Sequence, residues 1–155
     1  DVDLTLLRDP ECQQAATQVC WGRDLQDLRR RLGKIAQRAR SAPRRPLVLL
    51  VDYWNVTVDG DVADAQGAAF TAASARLTAA VDGVIADVAQ RTGAVPVHTY
   101  AAMDGPDGTR DPTSDLLEDG DHPDAGGHER LARALYDTAA AGALLDRWLP
   151  GARPS

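Results

Sequence analysis

Aromatic side chains are scarce: one Phe, three Tyr and three Trp make up 5% of the 155 residues. Any core must therefore rest on Leu, Val, Ile and Ala. Only two cysteines occur, Cys12 and Cys20. That excludes a disulfide-dense scaffold, and with His98, His122 and His128 at unhelpful spacings it also excludes a tetrahedral zinc centre. Apolar runs are short; none approaches the ~20 residues of a membrane span, so the chain is expected not to be transmembrane. No signal-peptide pattern is present in these residues. Basic residues are outnumbered, 17 Lys and Arg against 23 Asp and Glu, for a formal net charge of −6. This argues against a nucleic-acid partner, because phosphate binding needs a basic face.

What remains is ordinary for one soluble domain: 44% hydrophobic and 26% charged residues, in a chain long enough for a sizeable core. The densest basic cluster, Arg29-Arg30-Arg31 with Arg38 and Arg40, shares its helical pattern with Leu25, Leu28, Leu32 and Ile35. It reads as the solvated side of an amphipathic helix. Cys12 and Cys20 lie eight apart in a polar stretch before that helix. One local disulfide is expected there, worth about 2–3 kcal/mol on the chain-entropy model. Free thiols in a cytosolic protein are the alternative.

Periodicity gives a coarse architecture. Asp24 is placed to cap a helix carrying Leu25, Leu28, Leu32, Ile35, Ala36 and Ala39, ended by Pro43 and Pro46. Leu47 to Val51 reads as a buried strand of a parallel sheet. Residues 59–66 are polar and turn-like. From about Gly67 to Arg91 the residues Phe70, Leu77, Val81, Val84, Ile85 and Val88 form one helical stripe, and Gly93 stops it. Ala94 to Tyr100 is a second short strand, Asp104 to Glu118 a long loop, and a last helix runs from about Asp124–Gly126 to Ala141. Leu144 to Leu149 adds a further turn. Val2 to Leu7 is either a third strand or a helix-like turn. Alternating elements imply an α/β fold with right-handed crossovers. Two strands are too few for a doubly wound sheet, which implies more sheet elsewhere.

The stretch with most chemistry is Asp119-Gly120-Asp121-His122-Pro123-Asp124-Ala125-Gly126-Gly127-His128. It sets a carboxylate three residues before a histidine in a tight turn ahead of a helix. A neutral imidazole works as a general base when a carboxylate fixes its tautomer and stabilises the imidazolium. Asp119 is the expected partner of His122, and Asp121 a weaker one. His98 reads as a structural strand residue, and His128 as part of the first turn of the last helix.

Asp119-x-x-His122-Pro123, then Gly126-Gly127-His128 and Leu131-Ala132-Arg133-Ala134-Leu135, resembles the last conserved block of the SGNH (GDSL) hydrolases. The approach, Gly105-Pro106-Asp107-Gly108-Thr109-Arg110-Asp111-Pro112-Thr113 with Leu116-Leu117-Glu118, resembles that of secreted actinobacterial members. So does Pro46 to Tyr53, a strand ending in an aromatic residue. The resemblance implies a flavodoxin-like three-layer fold with a parallel sheet, of which residues 1–155 are the C-terminal part of a single domain. It implies a serine-dependent carboxylic ester hydrolase, an esterase or lipase, acting through an acyl-enzyme on an ester or lipid substrate. His122 would be its base and Asp119 the partner of that base. It also tilts the cysteines towards a disulfide, and the location towards secreted and extracellular.

The family's Gly-Asp-Ser nucleophile motif and its Gly-x-Asn-Asp motif do not occur here. Ser41 follows a helix, Ser74 lies in a helical run, Ser114 in a polar loop and Ser155 at the end. The resemblance places Gly-x-Asn immediately before Asp1, so the serine and the oxyanion donors are expected from an N-terminal portion of the same enzyme. The alternative is a non-catalytic binding or accessory domain that kept the fold without the nucleophile.

Ligands of open α/β sheets bind at the carboxyl ends of the strands. Tyr53 and Trp54 fall there as candidate substrate-binding residues, or as packing for their loop. Asp52-x-x-Asn55 is also compatible with a Mg²⁺ phosphoesterase, but no second acid falls at a predicted strand end. Asp107, Asp111, Asp115, Glu118, Asp119, Asp121 and Asp124 crowd one loop; a calcium site there is the alternative reading, but the spacing matches no EF-hand pattern and loop solubility accounts for most of them. No metal or cofactor is expected.

Overall fold

The computed structural model describes residues 2–43 and 46–141. The turn expected at residues 144–149 lies outside them. The elements are α1 (Pro10–Gln14), α2 (Thr17–Arg40), β1 (Leu49–Val51), α3 (Gly60–Asp64), α4 (Ala68–Thr92), β2 (Val95–Val97), α5 (Thr99–Asp104) and α6 (Ala125–Ala141), with short 3₁₀ turns at Leu4–Arg8 and Thr113–Asp115. The chain is thus mixed α/β and mostly helical.

Helix α4 is the spine. Its stripe Phe70, Ala73, Leu77, Val81, Val84, Ile85, Val88 and Ala89 is buried, and it packs along α2, which contributes Trp21, Leu25 and Ala36 to the same core. Arg29 Nε meets Asp87 Oδ2 at 2.9 Å across this seam, and an Arg30 guanidinium nitrogen meets Asp27 Oδ1 at 2.7 Å along α2, so two members of the basic cluster are paired rather than simply solvated. Gly93 ends α4 in the left-handed region at φ 69°, where a residue without Cβ pays no steric penalty.

β1 and β2 pair in parallel, Leu49 with Val95, Leu50 with Pro96 and Val51 with Val97. They form a two-stranded sheet. Val95 N donates to Val48 O at 2.9 Å and Asp52 N to Val97 O at 3.1 Å. Pro96 has no N–H to give, and alternation turns its nitrogen away from β1. The same alternation points the backbone groups of Leu49 and Val51 to the other edge, beside an apolar groove of about 370 Å³ lined by Leu28, Leu32, Val51, Tyr53, Val56 and Ile85.

Several sequence expectations need correction. Asp24 does not cap a helix: α2 begins at Thr17, and Asp24 Oδ2 instead accepts from Asp3 N at 3.0 Å. Cys12 and Cys20 sit in α1 and α2, not in a loop. They stand at disulfide distance, with Cα atoms 5.9 Å apart. Residues 2–7 resolve to the helix-like turn rather than a strand, held by Trp21 Nε1 donating to Asp3 O at 2.8 Å. The polar segment after Asp59 folds as α3, and Tyr100 belongs to α5 rather than to the second strand.

Leu77, fully buried at the middle of α4, tests the spine. Leu77→Ala should cost about 3 kcal/mol of unfolding free energy through lost burial and a residual cavity. A loss below about 1 kcal/mol in urea denaturation would mean that α4 does not carry the core.

Candidate functional site

The Asp119–His122 turn is built from both sides. Leu116 and Pro123 form an antiparallel bridge, Leu117 N donates to His122 O at 2.8 Å and Gly120 N to Leu117 O at 2.9 Å. Gly120 has φ 70°, and a Cβ there would lie 2.6 Å from Val62 Cβ. Only glycine lets the turn lie this close to α3. Asp124 then opens α6, its Oδ1 accepting from Gly127 N at 2.9 Å. A Cβ on Gly127 would collide with the Asp115 carbonyl and with Pro123.

Within the turn, Asp119 Oδ1 accepts from Asp121 N at 2.9 Å and from His122 N at 3.0 Å, and Asp119 Oδ2 lies 2.8 Å from His122 Nδ1. Backbone donation by His122 and Asp121, then the His122 ring, holds the Asp119 carboxyl down at about 2. Ionised, it can only accept, so Nδ1 carries the proton and Nε2 presents a lone pair. The hydrogen bond to Asp119, then the charges of Asp119 and Asp121, raise the His122 pKa above its ordinary value. The imidazole is 70% exposed, and no side chain among the described residues bonds to its Nε2. The Asp121 carboxylate is not hydrogen-bonded to the imidazole, and its backbone carbonyl accepts from Trp54 Nε1 at 3.1 Å.

The structure separates the two aromatic candidates. Trp54 braces the histidine turn, whereas Tyr53 is 49% exposed on the rim of the apolar groove. Their ring centroids are 6.1 Å apart. The described serines stay apart from His122. Ser74 is buried in α4, and Ser41 and Ser114 are exposed, with no hydroxyl bonded to the imidazole. His128 lies in the first turn of α6, as expected.

A second aspartate–histidine pair escaped sequence reasoning. His98 lies just beyond β2 rather than in it, and its Nδ1 is 3.0 Å from Asp52 Oδ2. The buried Asp52 also accepts from Tyr100 N at 3.0 Å and from the Thr99 hydroxyl. The signal was register: both residues follow parallel strands by one position, so Val51 beside Val97 puts Asp52 beside His98. Asp82 stands close by, donated to by Tyr53 N at 2.9 Å. Burial, opposed by that bond and assisted by the Asp52 charge, pushes its carboxyl up to about 7.

No family model, curated protein or solved structure matches the chain. No trio of His, Cys, Asp or Glu among the described residues is arranged to hold a metal ion.

The dyad makes a titration prediction. The His122 imidazole should titrate above ~6.5, the ordinary histidine value, and Asp119→Asn should lower the midpoint by removing the charge that favours imidazolium. ¹H–¹⁵N correlation spectra of the imidazole across pH 5–9 read this directly. An unchanged midpoint in the variant would contradict the pairing.

Proposed function

We propose that this chain carries the general base, His122, and its orienting acid, Asp119, of a serine-dependent carboxylic ester hydrolase of the SGNH type. The nucleophile comes from an N-terminal portion of the same enzyme, outside residues 1–155. The observation that carries the reading is the dyad itself: a carboxylate anchored by two backbone N–H groups, a Nδ1–H pointed at it, and an exposed Nε2 without a partner. The resemblance of the surrounding block to the last motif of those hydrolases supplies the reaction class.

The chemistry follows from the tautomer. Nε2 removes the proton of the serine hydroxyl as its oxygen attacks the ester carbonyl. Asp119 stabilises the imidazolium without itself taking the proton. The imidazolium returns the proton to the leaving alcohol, and the acyl-enzyme forms. Water then attacks the acyl carbonyl while Nε2 takes its proton, and the imidazolium gives that proton to the serine oxygen as the acyl–serine bond breaks and the carboxylic acid leaves. Donors for the oxyanion come from the same N-terminal portion as the serine.

The unfinished sheet supports this division. Pro96 removes one donor from the outer side of β2, while β1 has no strand partner on its other edge among the described residues and lies beside an apolar groove. A parallel sheet is stable when both faces and its edges are covered. A serine-bearing portion that adds its strands to β1 would meet both needs. An extracellular location accords with the disulfide-distance cysteines. No helix among the described residues is long and apolar enough to cross a membrane.

In the complete enzyme, His122→Ala should lower kcat for a short-chain nitrophenyl ester by at least ~10³-fold, the scale of other triad losses. His98→Ala should leave it within a few-fold. The rate should rise with pH as His122 loses its proton and become flat above its pKa, because the base works only when neutral. Retained turnover in His122→Ala, or failure of the complete protein to react with a fluorophosphonate, would favour a non-catalytic binding domain.

A further inference from the structure

Beneath the histidine turn lies a second polar constellation that the proposed esterase chemistry does not use. A cavity of about 220 Å³ is walled by the segment after β1, by α3 and α4, and by α5 with the loop that follows it. Asn55, Asp59, Tyr100 and Asp104 line it. Asn55 is only 5% exposed, yet neither its amide oxygen nor its amide nitrogen has a protein partner. Asp104 is 6% exposed, and its Oδ2 is likewise unpartnered. Buried polar groups left unpaired are costly, so three such atoms around one cavity, without a partner among the described residues, point to a missing ligand.

The charge of the cavity identifies the ligand's chemistry. Asp59, Asp64, Asp104 and Asp111 line it, with Arg110 as the opposing cation. The Arg110 guanidinium is already engaged by the Met103 carbonyl and the Asp115 carboxylate. Burial first, then the Asp59 charge and a hydrogen bond between the two carboxyls, push Asp104 up to about 8 against the pull of Arg110. Carboxylates lining one cavity repel each other unless a cation neutralises them. A hard divalent cation does so, and it takes the amide oxygen as well. Zinc and other nitrogen- or sulfur-seeking ions are disfavoured by an all-oxygen set.

We propose that Asn55, Asp59 and Asp104 form a calcium site, with the Asn55 amide oxygen and one or both oxygens of each carboxylate as ligands and waters completing the shell. Ca²⁺ accepts six to eight oxygens at flexible geometry, which a roomy cavity with three protein ligands suits better than the strict octahedron of Mg²⁺. The site would brace the catalytic turn from below, because Asp59 N donates to Gly120 O at 2.8 Å. Asp107, Asp119, Asp121 and Asp124 of the acidic loop take no part in it.

Thermal unfolding and titration calorimetry of the chain with CaCl₂ decide the matter. Millimolar Ca²⁺ should raise Tm by several degrees and give a calorimetric isotherm with about one ion bound per chain, and Asp104→Asn should abolish both effects. Should Asp104→Asn fail to fold, Asn55→Ala measured in the same way makes the same comparison. No response to 10 mM CaCl₂, or an undiminished response in the folded variant, overturns the proposal. Neither readout involves ester hydrolysis, so the calcium site stands or falls apart from the assignment of His122.

Discussion

The placement of the histidine turn depends on one buried carboxylate, that of Asp115. Burial alone would raise its pKa, but hydrogen bonds and charge from Arg110 and Arg130 overcome this and hold it below the ordinary carboxylate range. Arg110 ties it to the Met103 carbonyl at the end of α5, and Arg130 Nε, 2.9 Å away, ties it to α6. Its backbone carbonyl accepts from Asp124 N at 3.0 Å. A single residue thus joins α5, the long loop and the start of α6, and the segment between Leu116 and Pro123 has little freedom left. Removing one partner would leave charge buried and uncompensated, which is costlier than never having the pair.

The carboxylates divide into two populations by how they are solvated. Asp119, exposed and fed by backbone N–H groups, stays ionised down to about pH 2. Asp82 and Asp104, desolvated, keep their protons up to about 7 and about 8. The sign of the linkage follows. An unfolded chain releases those two protons near pH 4, so between pH 4 and 8 the folded state binds more protons than the unfolded one. Stability from this pair is therefore greatest in acid and falls as pH rises through that window. A protein with a net charge of −6 would gain most from a cation at the upper end of it, where Asp104 ionises.

Helical parts of the fold were readable because the relevant information is local. The stripe from Phe70 to Val88 and the stop at Gly93 place α4 within a residue of its observed ends, Ala68 and Thr92. Non-local interactions account for the misses. Asp24 has the chemistry of a cap, but Trp21 and the buried Cys12 recruit the preceding residues into the core, and α2 starts a full two turns earlier. Strand lengths were overread because three paired residues are all that the two-stranded sheet supports. Of the candidate site, Asp119 and His122 were legible because both sit in one turn. The Asp52–His98 pair and the Asn55–Asp59–Asp104 cavity bring together residues far apart in sequence, and only strand register or tertiary packing reveals them.

The two edges of the sheet are not equivalent, and that asymmetry bears on how the dyad could be completed. Proline in β2 means that no neighbour can use a position-96 donor on that side, so growth of the sheet is favoured in the other direction. That direction is past β1, where Val51 and Tyr53 remain 39% and 49% exposed. Exposed apolar surface next to an open strand edge favours aggregation unless something covers it. A strand added in parallel there runs in the same direction as β1, whose carboxyl end leads through Asp52 to Trp54 and its bond to the histidine turn. Under the proposed reading, a nucleophile carried at the tip of such a strand would approach the dyad from that end, so one added strand would meet both the need for sheet coverage and the need for a nucleophile.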